Sequence, residues 1–379
     1  MKTYKLLTMI AAVCLAASGI AAADQSLYLA AGDKITVFNI DPESGKLDLL
    51  QEISLPGAGP MTVSPEKSFL YITANQSPNP NSKKKSPALA TFKVKADSTL
   101  EHLKTAPANL APGYLKTDAT GTFLAGNHYG PGKVTVWKLD DQVYQGETIQ
   151  EIDLEPKAHS AVFAPSNTSL LIPATGPNKV FQLTFDPATG EVTPNNPPYA
   201  DGPQADGEAR QPRHLIFHPE LDIVYTTNER EHPGVGVWSW DPDTQSLRTI
   251  QNIVTKPRDF DGITTTADLH LTPNNKFLYV SNRDVTDRQA TSGINSIVAF
   301  SVNSATGELT LIDHYPCEHV PRSFAIDESG SFLYVAGQGD NTLGAYRIDP
   351  ETGALGKIEQ HKTGNRPSWV HIMSPPSVP

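Results

Sequence analysis

A short acidic turn recurs along this chain at near-regular intervals. It reads DPESGKL from Asp41, KADSTL from Lys95, DPATGEV from Asp186, DPDTQSL from Asp241, NSATGEL from Asn303 and DPETGAL from Asp349. A weaker copy, LDDQVY, begins at Leu139. Asp or Asn at the head of a turn hydrogen-bonds nearby backbone, Pro presets φ, and Gly accepts a left-handed conformation. These segments therefore predict hairpins.

A second unit alternates with the first. It is a short strand ending in Pro or Asp, a polar turn, and then a more apolar strand. Copies begin at Pro60, Gly113, His159, Arg213, Asp268 and Arg322. A seventh is split between the two ends of the chain: SWVHIM from Ser368 supplies its first strand and SLYLAAG from Ser26 its second. The period is about 45–55 residues, the length of a four-stranded propeller blade. No long 3.6-residue periodicity competes with it after residue 24. The expected fold is all-β: a seven-bladed β-propeller with four antiparallel strands per blade. The ring closes when the C-terminal strand joins the N-terminal blade, which leaves no open seam.

Composition fits this expectation. The chain has 379 residues, 38% hydrophobic, with 32 Pro and 27 Gly spread over the turns. Its start reads as a secretory signal: Lys2 and Lys5, an apolar stretch from Leu6 to Leu15, and small residues at Ala21, Ala22 and Ala23. The expected organisation is a signal over residues 1–23 and a single propeller domain over 24–379, with 374–379 a flexible tail. The expected address is the periplasm. No later segment is long and apolar enough to anchor the chain in a membrane. Of the two cysteines, Cys14 leaves with the signal and Cys317 stays alone, so neither a disulfide nor a cysteine zinc site is expected. HExxH spacing is absent, and no metal or other cofactor is expected. A net charge of −11 argues against nucleic acid as a partner.

Propeller geometry brings the starts of innermost strands and the ends of second strands to one face, around the channel mouth. The starts are Pro60, Gly113, His159, Arg213, Asp268, Arg322 and Ser368-Trp369. The ends are Gly32, Asn75, Asn127-His128, Thr175, Asn228-Glu229, Asn282-Arg283 and Gly337-Gln338. Charged groups and an imidazole therefore converge on one rim: His159, Arg213, Glu229, Asp268, Arg283 and Arg322. The long insertions, Gln76 to Ala88, Asp201 to Gln211, Pro257 to Ala267 and Asp284 to Ile294, fall on the same side. Insertions gathered on one face mark the binding side of a repeat protein.

The segments HSAVFAP, PRHLIFHP, TTNE, ADLHLTP, SNRD and PRSFAIDESGSFLYVAGQ occur in blade order. With them the chain resembles the seven-bladed lactonase family, which includes bacterial 6-phosphogluconolactonases and fungal carboxy-muconate cyclases. The resemblance covers nearly all of the mature chain. It implies catalytic roles for His159, Arg213, Glu229 and Arg283. It also implies a supporting shell of Asp268, His270, Arg322 and Gln338, and Asn127, His128, His214, Asn228 and Trp369 join these as expected substrate contacts.

Lactone hydrolysis needs water to attack a ring carbonyl, with charge developing on the carbonyl oxygen. Arg213 and Arg283 are expected to stabilise that oxygen. His159 or Glu229 can take the proton from water, and spacing alone does not choose between them. The same arginines can instead tie blades together through Glu229 and Asp268. His218 and His371 read as structural, and Lys83, Lys84 and Lys85 as a solvated loop tip. An exported address favours an unphosphorylated lactone, with D-glucono-1,5-lactone first. The other readings are a 6-phosphogluconolactonase, a muconate-type cyclase or cycloisomerase, and a non-catalytic binding propeller.

Overall fold

The computed structural model of the protein describes residues 25–76, 85–205, 208–230, 232–260, 262–285 and 294–376. The expected signal, Lys83, Lys84 and the last three residues lie outside them. Among the described residues there are seven four-stranded antiparallel sheets and one two-stranded ribbon, Gln204–Ala205 with Glu208–Ala209. Each large sheet is one blade. Blade one is the composite expected from the sequence. Its inner strand, Pro367–Met373, pairs with Gln25–Ala31 in the register Ser26–Met373 through Ala30–Trp369.

The core is not central. It is divided into seven apolar clusters, one at each seam between neighbouring blades. Second strands such as Gln25–Ala31 and Phe277–Arg283 are buried along their whole length. Their side chains alternate across the pleat, so each strand feeds two seams. Tyr28 and Ala30 pack toward blade two, while Leu27 and Leu29 pack toward blade seven.

Tyrosines lock five of these seams. The second-strand Tyr28, Tyr71, Tyr225, Tyr279 and Tyr334 each donate a hydroxyl hydrogen bond to the outer hairpin turn of the following blade. The acceptor for Tyr334 is Gly45 O at 2.8 Å, inside the first acidic repeat. Gly45 has φ +74, and a Cβ there would enter the Phe332 ring, so the turn needs glycine for two reasons.

The far-face turns are short, as expected. His218 is structural there: its Nδ1 accepts from the backbone N–H groups of Glu220 and Leu221. Ser374 Oγ donates to Glu328 Oε2 at 2.7 Å, which fastens the closing strand to blade seven.

Candidate active site

The inner strands that line the channel are irregular at the mouth. Register shifts fall between Pro212 and Leu215, between Thr266 and Leu269, and between Pro321 and Ser323. In blade four the inner strand keeps only Val162–Phe163, and His159 precedes it next to an isolated bridge at Ala158. A bulge adds a residue to one strand and re-aims its side chains. Arg213 and His214 both belong to such a bulge, so these neighbours do not simply alternate. His214 enters the channel, while Arg213 runs sideways to the next blade.

Arg213 is 1% exposed. Its Nη1 donates to Ala267 O at 2.5 Å, and its Nε lies 3.6 Å from Glu229 Oε1. The same Glu229 oxygen accepts from Arg283 Nη2 at 2.8 Å. One carboxylate therefore sits between two guanidiniums and ties blade five to blade six. Burial pushes the Glu229 carboxyl up, but Arg213 and Arg283 outweigh it and hold the group below the usual glutamate range.

A cavity of about 290 Å³ opens at this mouth, lined by Gly113, Asn127, Tyr129, His159, Glu229, Arg230, Thr265, Arg283, Val285 and Arg322. Its size suits a single sugar ring, at the small end of the ~300–1,000 Å³ usual for ligand pockets. His159 Nδ1 is buried without a hydrogen-bond partner, which leaves Nε2 to face the cavity. The ring meets Tyr129 and His214 edge-on, with centroids 5.2 and 5.3 Å away. Burial first, then the charges of Arg213, His214, Arg322 and Arg283, hold His159 well below the usual imidazole range. It is a neutral imidazole at pH 7 and can accept a proton.

A second layer lies deeper, at one step of the pleat. His214 Nδ1 is 2.9 Å from Asp268 Oδ1, and His270 Nε2 is 3.5 Å from Oδ2. Burial pushes Asp268 up, yet His270 and His214 outweigh it and hold it well below the usual aspartate range. An ionised carboxylate only accepts, so His214 donates through Nδ1. Tyr114 and Trp369 complete this layer by edge-on contact with each other, and both stand against His214.

The structure places several of the expected site residues away from the cavity. Arg213 does not reach the cavity, because its bulge turns it beneath Ala267. His128 faces away from the mouth: it is 2% exposed, with Nδ1 3.3 Å from Ala111 O and Nε2 2.9 Å from Thr135 Oγ1. It alternates with Asn127, which does line the cavity. Asn228 donates to Asn252 Oδ1 within its own sheet. Gln338 lines neither the mouth nor the channel. His214, Asp268, His270 and Trp369 line the channel below the mouth. His371, expected to be structural, also lines that channel. The sequence reading missed Tyr129, Arg230 and Val285, which sit on connections of variable length, and Thr265, which opens the inner strand Thr265–Leu271. It also missed Tyr114 and Lys116, which the two-residue alternation of Tyr114–Thr117 places on the channel face. Among the described residues, no group of three or more His, Cys, Asp or Glu could hold a metal ion.

The buried imidazoles set an acid limit on stability. Burial and the Arg213 charge press His214 down to about 4, with Asp268 opposing. Burial, Lys116 and His270 press His371 to about 4. The unfolded chain therefore takes up protons first as pH falls below 6.5, the ordinary histidine value. Stability should be flat with respect to these two groups above that pH and fall as pH drops from 6.5 toward 4. Each tenfold difference in proton affinity between the folded and unfolded chain is worth about 1.4 kcal/mol. Urea unfolding at pH 7.5, 6 and 5 measures the slope, and His371→Gln should flatten it.

Residues 20–372 match the family model described as lactonase, 7-bladed beta-propeller. The 6-phosphogluconolactonase of Yersinia pestis (strain Pestoides F) is 32% identical over 353 residues, 92% of this chain and 98% of that one. The protein of that name from Cronobacter sakazakii is 32% identical over 354 residues, with the same coverage. Among solved structures, the periplasmic gluconolactonase of Pseudomonas aeruginosa superposes with a TM-score of 0.81 at 22% identity, covering 93% of this chain and 100% of that one. A Lactobacillus plantarum protein gives 0.77 at 20% identity, covering 92% and 99%. The chain belongs to the seven-bladed β-propeller lactonase family and is a lactonase.

Proposed function

We propose that the protein hydrolyses a sugar lactone at the channel mouth, with D-glucono-1,5-lactone as the preferred substrate. The observation that carries this reading is the small polar cavity whose lining brings together His159, Glu229, Arg283 and Arg322. Water attacks the ring carbonyl carbon and gives its proton to His159. The carbonyl π-electrons move to oxygen, and Arg283 and Arg322 hold the oxyanion, a stabilisation that grows as charge develops. When the intermediate collapses, the carbon–ring-oxygen bond breaks and the imidazolium returns its proton to the departing oxygen. The product is an open hydroxy acid. Glu229 stays ionised between its arginines and fixes the position of Arg283.

The signal-like N-terminus supports action outside the cytoplasm, as does the structural neighbour named a periplasmic gluconolactonase. A second reading is a phosphorylated lactone. The curated relatives carry the name 6-phosphogluconolactonase, and Arg230 and Lys256 flank an adjoining cavity that could take an anionic group. A pH-indicator assay compares D-glucono-1,5-lactone with its 6-phosphate, each against the uncatalysed rate. The unphosphorylated lactone should open faster per enzyme molecule. Arg322→Met should cut kcat/KM for it by about 100-fold. Opening no faster than background for both would end the lactone reading.

A further inference from the structure

Below the mouth the channel runs through the Asp268 layer, and its chemistry there is unlike that of the mouth. A cavity of about 230 Å³ is lined by inner strands, with Lys116, His270 and His371 among its walls. Alternation along Tyr114–Thr117 turns Lys116 toward the channel, where its side chain stays exposed. Among the described residues it has neither a hydrogen-bond partner nor an ion pair. His371 follows the aromatic Trp369 at the next inward position of the closing strand. Its Nε2 is buried without a partner. His270 turns Nε2 toward Asp268 and leaves its other nitrogen to the channel.

Asp268 is the one carboxylate lining this cavity, and His214 and His270 already occupy it. Lys116 is thus a cation without a counter-ion, facing two imidazoles that can donate. Its surroundings hold it below the ordinary lysine range, and an anion beside it would favour the charged form. An ammonium with imidazole donors around it is a receptor for an anion. We infer that the lower channel is a binding site for one small oxyanion, a phosphate or a short carboxylate, held by Lys116 with His371 and His270. The site is separate from the mouth and does not depend on the lactonase chemistry.

Titration calorimetry at pH 6.5 in low salt tests this with the mature chain, using inorganic phosphate in one arm and D-gluconate in the other. One of them should bind, and the tighter arm identifies the source. Lys116→Met should weaken that binding at least 10-fold and leave lactone turnover in anion-free buffer unchanged. Arg322→Met, which alters the mouth, should leave binding within about twofold. Binding retained in Lys116→Met, or lost in Arg322→Met, would put the anion at the mouth and overturn the inference; so would no binding in either arm. If Lys116→Met folds poorly, the wild-type histidine resonances decide. Those of His371 and His270 should move on phosphate addition, and their silence would count against the site.

Discussion

Replacing His159 by alanine lowers kcat for the preferred lactone by about 100- to 10,000-fold, the usual contribution of a positioned base. KM should change only a few-fold, because the arginines that hold the carbonyl oxygen remain. His159 is favoured over Glu229 by the company each keeps. Glu229 Oε1 is 2.8 Å from Arg283 Nη2 and 3.6 Å from Arg213 Nε. Both groups are weaker bases than usual, but Glu229 would have to break its ion pair with Arg283 to take a proton, and His159 has none to break. His159 is neutral, and its Nε2 faces the cavity. Added imidazole should restore part of the lost turnover, which loss of a merely structural ring would not allow. Undiminished turnover in His159→Ala would transfer the base role elsewhere.

The second large effect concerns stability. Glu229→Ala removes the carboxylate between Arg213 and Arg283, which are 1% and 4% exposed. Two guanidiniums would then be buried side by side with their shared counter-ion gone. Breaking a buried pair in this way costs about 3–5 kcal/mol. Urea denaturation should report a loss of that size. Adding Arg283→Met to Glu229→Ala should recover part of it, since one of the repelling charges disappears. A single variant as stable as the wild type, or a pair whose losses simply add, would show that the triad does not bind the two blades energetically.

These two expectations use different parts of the same rim, and they differ in how far they could be read beforehand. His159 and Glu229 were legible at the rim because each ends or begins a repeat, and repeat position fixes the face. The role of Arg213 was not legible. From sequence it stands at the same rim position as Arg322, yet Arg322 lines the cavity and Arg213 is buried beneath Ala267. His128 and Asn127 both end the same strand, and only one of them can face inward. The sequence marked the pair without choosing.

The repeating turns, the alternating strands and the split copy at the termini determined the number of blades, the closing strand and the face on which polar groups gather. Those properties are local or periodic, so a one-dimensional string carries them. Tertiary structure alone decided which way each side chain points once a bulge interrupts the pleat. A two-residue alternation holds only while pairing is regular, and register shifts interrupt it around Arg213, Asp268 and Arg322. The closed ring also set two arginines on one carboxylate and gathered Lys116, His270 and His371 around a channel that no single repeat contains.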